Sequence, residues 1–159
     1  MPEPSPRELV ELLARNELRI RTGILELPVE ALGTESDLAV GLGVGYRDIC
    51  AWKVDRIPAG RTRVGLRWEG ITQDLVSLLA DSSLPGYCVW VSSLDVLLAG
   101  VPFADRQRLW NFMRGTFRQS RGLLLSMPVG ATHLLPEGER ALWIEYGRLS
   151  VWTKCNREW

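Results

Sequence analysis

Ser92-Ser93-Leu94-Asp95, in a chain whose only histidine is His133, is the set of side chains that invites a hydrolase reading. A serine, a histidine and an acid can make a nucleophile, its base and the group that orients the base. Neither serine lies in a Gly-x-Ser-x-Gly elbow, and a lone histidine in a proline-bounded loop is expected at the surface. Cys50, Cys88 and Cys155 form no Cys-x-x-Cys pair. With one histidine they are too few and too scattered for zinc, which takes about four ligands. Their odd number argues against a disulfide framework and for a reducing, cytoplasmic setting. Asp48 and Lys53 lack the acidic partners of a metal nuclease. Gly41-Leu42-Gly43-Val44-Gly45 looks like a phosphate loop, but it follows a helical pattern and precedes a strand. A dinucleotide fingerprint needs the opposite order, so this segment reads as a helix C-cap and turn. No catalytic residue, metal or cofactor is expected from these groups.

The elements that carry them alternate. Ser5 and Pro6 open a helix through Leu9, Leu12 and Leu13. Ile20 to Leu27 reads as a first strand stopped by Pro28, and Gly33 to Gly43 as a helix. Arg47 to Val54 (RDICAWKV) is predicted to be a second strand, and Arg61 to Trp68 a short or edge strand. Ile71, Leu75, Leu78 and Leu79 have helical spacing. Tyr87 to Val91 (YCVWV) is unbroken and apolar, as in a strand covered on both faces. A helix from Asp105 to Gln119 leads to the buried strand Leu123-Leu124-Leu125, halted by Pro128. Glu137 to Trp143 reads as a short helix and Leu149 to Trp152 as a last strand. The prediction is one three-layer α/β domain over residues 1–159, with a mostly parallel sheet of about five to six strands. YCVWV and GLLLS are its expected central neighbours. No internal repeat, linker or low-complexity segment is evident.

Composition excludes several classes. The chain has 159 residues, 46% hydrophobic and 24% charged, the balance of a globular domain. Its 19 basic and 19 acidic residues cancel, so no net field draws it to nucleic acid or an anionic membrane. Only Lys53 and Lys154 are lysines, so 17 of the basic residues are arginine. That bias reads first as the codon usage of a GC-rich bacterium and second as arginine-based recognition. MPEPSPREL has no basic stretch followed by an apolar run, so no signal peptide is expected. No apolar run is long enough to span a membrane.

The order of elements resembles the core of a P-loop NTPase of the AAA/ASCE type. In that family an apolar strand enters a glycine-rich loop ending in Gly-Lys-Ser/Thr, followed by a helix. Here the strand is Gly23 to Leu27, the loop Pro28 to Ser36, and the helix DLAVGLG. Gly33 keeps one glycine, and Thr34 or Ser36 offers a hydroxyl. No lysine is present, while Glu30 and Glu35 bring negative charge to the phosphate position. The family's second motif runs four apolar residues into Asp-Glu. Here Val89-Trp90-Val91 runs into Ser92-Ser93, with Asp95 where a third acid often stands and Ser126 at a sensor-like position. The likeness covers roughly residues 18–128. Gly33, Thr34, Ser36, Ser92, Ser93 and Asp95 are what the resemblance leaves of a nucleotide site. The phrase LDVLLAGVPFADRQRLW, before an apolar strand ending in proline, is also similar to small P-loop-like proteins of bacterial phage-exclusion (BREX-type) loci.

Two surfaces are candidates for partners. Arg114, Arg118 and Arg121 have the spacing of one helix face, and Arg61, Arg63 and Arg67 lie on the expected third strand. Trp52, Trp90 and Trp110 sit in apolar patterns and belong to the core. Trp68, Trp143, Trp152 and Trp159 border turns or the C-terminus, where tryptophan marks interface hot spots. The expectation is a non-catalytic, NTPase-like subunit of a bacterial phage-defence or DNA-processing complex. It would be cytoplasmic, without cofactor, and bound to a protein partner or a second copy. The alternatives are an enzyme that binds or hydrolyses nucleotide once a partner completes it, and an accessory protein that binds nucleic acid.

Overall fold

The computed structural model describes residues 3–60 and 66–153, with Thr132 as backbone only. Five strands form one parallel sheet: β1 (Thr22–Leu27), β2 (Gly45–Asp48), β3 (Cys88–Ser92), β4 (Gly122–Pro128) and β5 (Leu149–Val151), in the order β2-β3-β4-β1-β5. The runs YCVWV and GLLLS are parallel neighbours, Cys88 opposite Gly122 and Val91 opposite Leu125. β1 and β4 pair from Thr22↔Leu123 to Leu27↔Pro128. All six residues of β1 and all five of β3 are buried, as expected of strands covered on both faces, and the charge of Glu26 in β1 is met by Arg140.

Helices cover both faces, giving the three-layer, P-loop-like α/β architecture. On one face, α1 (Pro6–Ala14) and α2 (Glu35–Leu42) pack Leu9, Leu13, Ala39 and Leu42 against Leu25, Trp90 and Leu124. On the other lie α4 (Trp68–Leu79), α5 (Leu94–Ala99), α6 (Phe103–Gly115) and α7 (Glu139–Glu145). They bury Leu75, Leu98, Trp110 and Trp143 against Ile24, Val91 and Leu125. The strict side-to-side alternation along β1 and β4 sorts the two sets. α1 begins as expected, with Ser5 capping it in a full capping box and Pro6 in its first turn.

Several boundaries depart from expectation. The strand predicted over Arg47–Val54 is β2 for only two of those residues; Ile49–Asp55 is helix α3. Asp48 decides this, since its Oδ1 accepts from the Cys50 amide at 2.9 Å and the Ala51 amide at 3.1 Å. An aspartate N-cap outweighs the strand preference of a short apolar run. Of the strand expected over 61–68, residues 61–65 lie outside the described residues, and Trp68 opens α4. The helix expected to reach Gln119 ends at Gly115.

Two neighbouring strands also carry one pattern, which corrects the expectation of no internal repeat. Segments 21–31 and 121–131 share Arg21/Arg121, Leu25/Leu125, Pro28/Pro128, Val29/Val129 and Ala31/Ala131. Each arginine precedes the strand, each proline ends it, each valine is exposed in a following 3₁₀ turn, and each alanine is buried.

The arginines bind backbone carbonyls. Arg21 donates to Leu13 O (2.7 Å), Ala14 O (3.0 Å) and Ser120 O (2.6 Å). Arg121 donates to Leu79 O (3.2 Å), Asp81 O (2.9 Å) and Gly86 O (2.9 Å), among others. Arg148, just before β5, donates to Thr22 O (2.7 Å), Arg114 O (2.8 Å) and Met113 O (3.4 Å), with its guanidinium 4.5 Å from the centre of the Trp143 ring. Burial lowers the Arg148 pKa to about 10, so the group stays charged at neutral pH. The helix ends come very close here. A Cβ on Gly122 would lie 2.6 Å from Leu13 O, so only glycine fits after Arg121.

Replacing Arg148 by methionine keeps the aliphatic stem and deletes the donors. Buried carbonyls left without partners cost about 1–3 kcal/mol each. The variant is expected to lose about 3 kcal/mol of unfolding free energy, read from urea titration at unchanged slope.

Candidate functional site

Open parallel sheets place ligands in the crevice beyond the carboxyl ends of their strands. In this chain the ends of β1, β3 and β4 enclose a cleft of about 170 Å³ there. Glu35, Asp95, Ser93 and Ser126 supply its polar lining, and Leu32 and Val96 are among its apolar walls. Among its lining residues there is no Lys, Arg or His.

Ser93 is the sharpest local feature. It has φ 68° and is the single non-glycine with positive φ among the described residues. A side chain in that conformation costs roughly 1–2 kcal/mol and is held only where surroundings impose it. Its hydroxyl donates to Asp48 Oδ2 at 2.8 Å, and its carbonyl accepts from Cys50 Sγ at 3.5 Å. Asp48 thus serves Ser93 with one oxygen and the amino end of α3 with the other. Next to it, Ser92 is buried, its Oγ 2.6 Å from the Tyr46 hydroxyl. Burial raises the Tyr46 pKa, and Ser92 draws it back in part. Burial also raises the Cys50 thiol, with Asp48 and Asp95 adding to the shift, which disfavours its thiolate form.

The loop from β1 to α2 is closed on itself. Val29–Ala31 form a 3₁₀ turn. The amides of Ala31, Leu32 and Thr34 donate to Pro28 O (3.0 Å), Val29 O (3.2 Å) and Ala31 O (3.2 Å). The Thr34 hydroxyl also turns back, to Ala31 O at 2.7 Å. A phosphate cradle needs successive amides free to face one anion; three of the amides here are spent. Gly33 has φ 85° and is exposed, as are Thr34 and Ser36. Of the six residues left by the resemblance, the cleft gathers Ser93 and Asp95. Ser92 is turned to Tyr46, and Gly33, Thr34 and Ser36 are not part of the cleft lining.

The other predicted residues are scattered. His133 is exposed, its Nδ1 3.2 Å from Gly130 O, and the group bonded to Ser93 is a carboxylate, so no Ser-His-Asp relay forms. Arg118 and Arg121 lie beyond the end of α6 and do not share a helix face with Arg114. Arg114 binds Glu139 at 2.7 Å, and Trp143 Nε1 donates to the same oxygen at 3.1 Å. Trp143 and Trp152 are fully buried in the chain's own core, which removes both from the docking surface expected of them. Arg67 is exposed beside Glu69, at 3.9 Å. Arg61, Arg63 and Trp159 lie outside the described residues. Among the described residues no cluster of three His, Cys, Asp or Glu can hold a metal, and no helix is long and apolar enough to cross a membrane. Sequence reasoning missed Asp48 and Tyr46 as partners of the serines. The Asp48–Ser93 bond joins residues from two strand ends, and no local pattern signals it.

Two wider hollows, about 380 and 310 Å³, flank Arg21 at the amino edge of the sheet. Arg21 spends its donors on carbonyls there, so neither offers a buried free cation.

Searches of protein-family models, curated proteins and solved structures find no match to this chain.

Asp95 yields a pH test. Burial raises its carboxyl pKa, its own amide and that of Val96 lower it, and Asp48 raises it further. Between the unfolded value of about 3.9 and the higher native one, the native state keeps a proton that the unfolded state has lost. Stability from this group therefore falls as pH rises through that window and stays reduced above it. Asp95→Asn is expected to unfold at higher denaturant concentration than wild type at pH 7, with the gain fading as pH drops toward about 3. Parallel denaturation curves across pH read the difference.

Proposed function

We propose that the chain is a non-catalytic P-loop-like domain that works by binding another protein. The closed β1–α2 loop carries this reading. The amides of Ala31, Leu32 and Thr34 and the Thr34 hydroxyl are satisfied internally, and Glu35 lines the cleft where a nucleotide phosphate would need positive charge. The Ser92 hydroxyl is engaged with Tyr46 and the Ser93 hydroxyl with Asp48, so the positions of the metal-holding acids carry hydroxyls already in use. The cleft, at about 170 Å³, is also smaller than the roughly 300–1,000 Å³ of small-molecule sites.

Exposed apolar side chains support a protein partner. Val29 is 83% exposed and Val96 62%, and Leu32 and Val129 are exposed as well. They follow the carboxyl ends of β1, β3 and β4, so the loops that flank the cleft also present apolar surface. The resemblance around Leu94–Trp110 implies a bacterial phage-exclusion or DNA-processing complex as the setting.

The purified chain is expected neither to hydrolyse ATP or GTP nor to bind a fluorescent ATP analogue with magnesium. Magnesium-dependent turnover that co-purifies with the chain and is lost in Ser93→Ala would overturn the reading. Affinity purification from the native host, with sizing of the isolated chain, separates a foreign partner from a second copy.

A further inference from the structure

The cleft has the charge opposite to that of a phosphate site. Glu35 stands at the start of α2 and Asp95 in the first turn of α5, both on its lining. Asp48 adds to the negative potential at Asp95. None of the five ion pairs among the described residues includes Glu35 or Asp95. A second observation points into the same space. Ser126, on β4, is only 3% exposed and lines the cleft, and none of the side-chain hydrogen bonds among the described residues engages its hydroxyl. Its oxygen is not among the buried polar atoms shut away without a partner, so it opens to the cleft and can accept from a group that enters it. The walls between these acceptors are apolar, Leu32 and Val96 among them.

We propose that this cleft receives an arginine side chain from the partner protein, its guanidinium set between Asp95 and Glu35 with Ser126 as a further acceptor. The proposal rests on the protein-binding reading above and names the chemistry of the partner. Guanidinium carries five donors in a plane, is weakly hydrated and packs its stem on apolar walls. That matches separated acceptors set in an apolar frame. A divalent cation fits less well, because it takes six or more oxygens and the cleft lining holds two carboxylates. A phosphate would face those carboxylates with no cation in the lining. A volume of about 170 Å³ holds roughly six waters at about 30 Å³ each, room for one long side chain and not for a nucleotide.

The test is an amide NMR titration of the full ¹⁵N-labelled chain with Nα-acetyl-arginine amide. Nα-acetyl-citrulline amide, neutral and nearly isosteric, and inorganic phosphate are the controls. Arginine amide is expected to give saturable shifts in the millimolar range confined to residues near Glu35, Asp95 and Ser126, with none from either control. Asp95→Asn weakens this binding about tenfold; Glu35→Gln does the same and carries the test should the first variant lose its native spectrum. The proposal is overturned by absence of saturable shifts, by equal shifts with citrulline, or by unchanged binding in a folded charge-neutral variant. Magnesium–ATP saturating the same amides overturns the protein-binding reading as well. Failure of arginine in a chain that also ignores nucleotide overturns this proposal alone.

Discussion

The structure depends on guanidinium groups bonded to backbone carbonyls at the amino edge of the sheet. A helix leaves its last carbonyls without partners and concentrates partial negative charge there. α1, α4 and α6 all end beside this edge. Arg21, Arg121 and Arg148, each the residue before a strand, meet these ends with forked, charged donors. A lysine concentrates its three donors on one nitrogen, whereas the planar guanidinium spreads five over a fork that reaches carbonyls set apart on different segments. Because α1 lies on one face and α4 and α6 on the other, the three arginines tie both helical layers to the sheet. The arginine-rich composition, which sequence alone ascribes first to codon usage and then to recognition, here also serves internal bonding.

This assigns opposite roles to the two edges of the sheet. At the amino edge, close approach of helix ends requires Gly122, and the charges are satisfied within the chain. At the carboxyl edge the chain retains a strained Ser93, a Ser126 hydroxyl that lines the cleft and carboxylates, Glu35 and Asp95, in no ion pair among the described residues. Backbone strain persists where a rigid scaffold imposes it, and such places are where binding sites are found. The scaffold here is two adjacent strands built on the same pattern, each ending in Pro-Val and a 3₁₀ turn. The pattern buries an alanine and exposes a valine twice over, so the apolar surface beside the cleft follows from the same repeat that builds the sheet.

The tryptophans illustrate how burial reassigns a residue type. Trp110 and Trp143 meet edge to face, with centroids 6.1 Å apart, and Glu139 joins Trp143 to Arg114. An indole near a turn has the same composition signal whether it faces a partner or its own core. Here the fold closes over Trp143 and Trp152, and the apolar residues left exposed beside the cleft are Val29, Leu32, Val96 and Val129.

Local chemistry was legible wherever it was decided locally. The α/β class, the parallel pairing of YCVWV with GLLLS, the capping of α1 and the turn at Gly43 all follow from period, run length and cap residues. Where a single side chain competed with a run, the reading failed, as when Asp48 turned a predicted strand into α3. The loss of the phosphate-loop lysine and of both acids at Ser92-Ser93 was visible in residue types alone. What replaced them was not. The bond from Ser93 to Asp48 and the gathering of Glu35, Asp95 and Ser126 on one cleft join residues far apart in the chain. Only the packing of β1, β2, β3 and β4 side by side gathers them at one end of the sheet, because register and burial, not sequence neighbourhood, set which groups share a low-dielectric space.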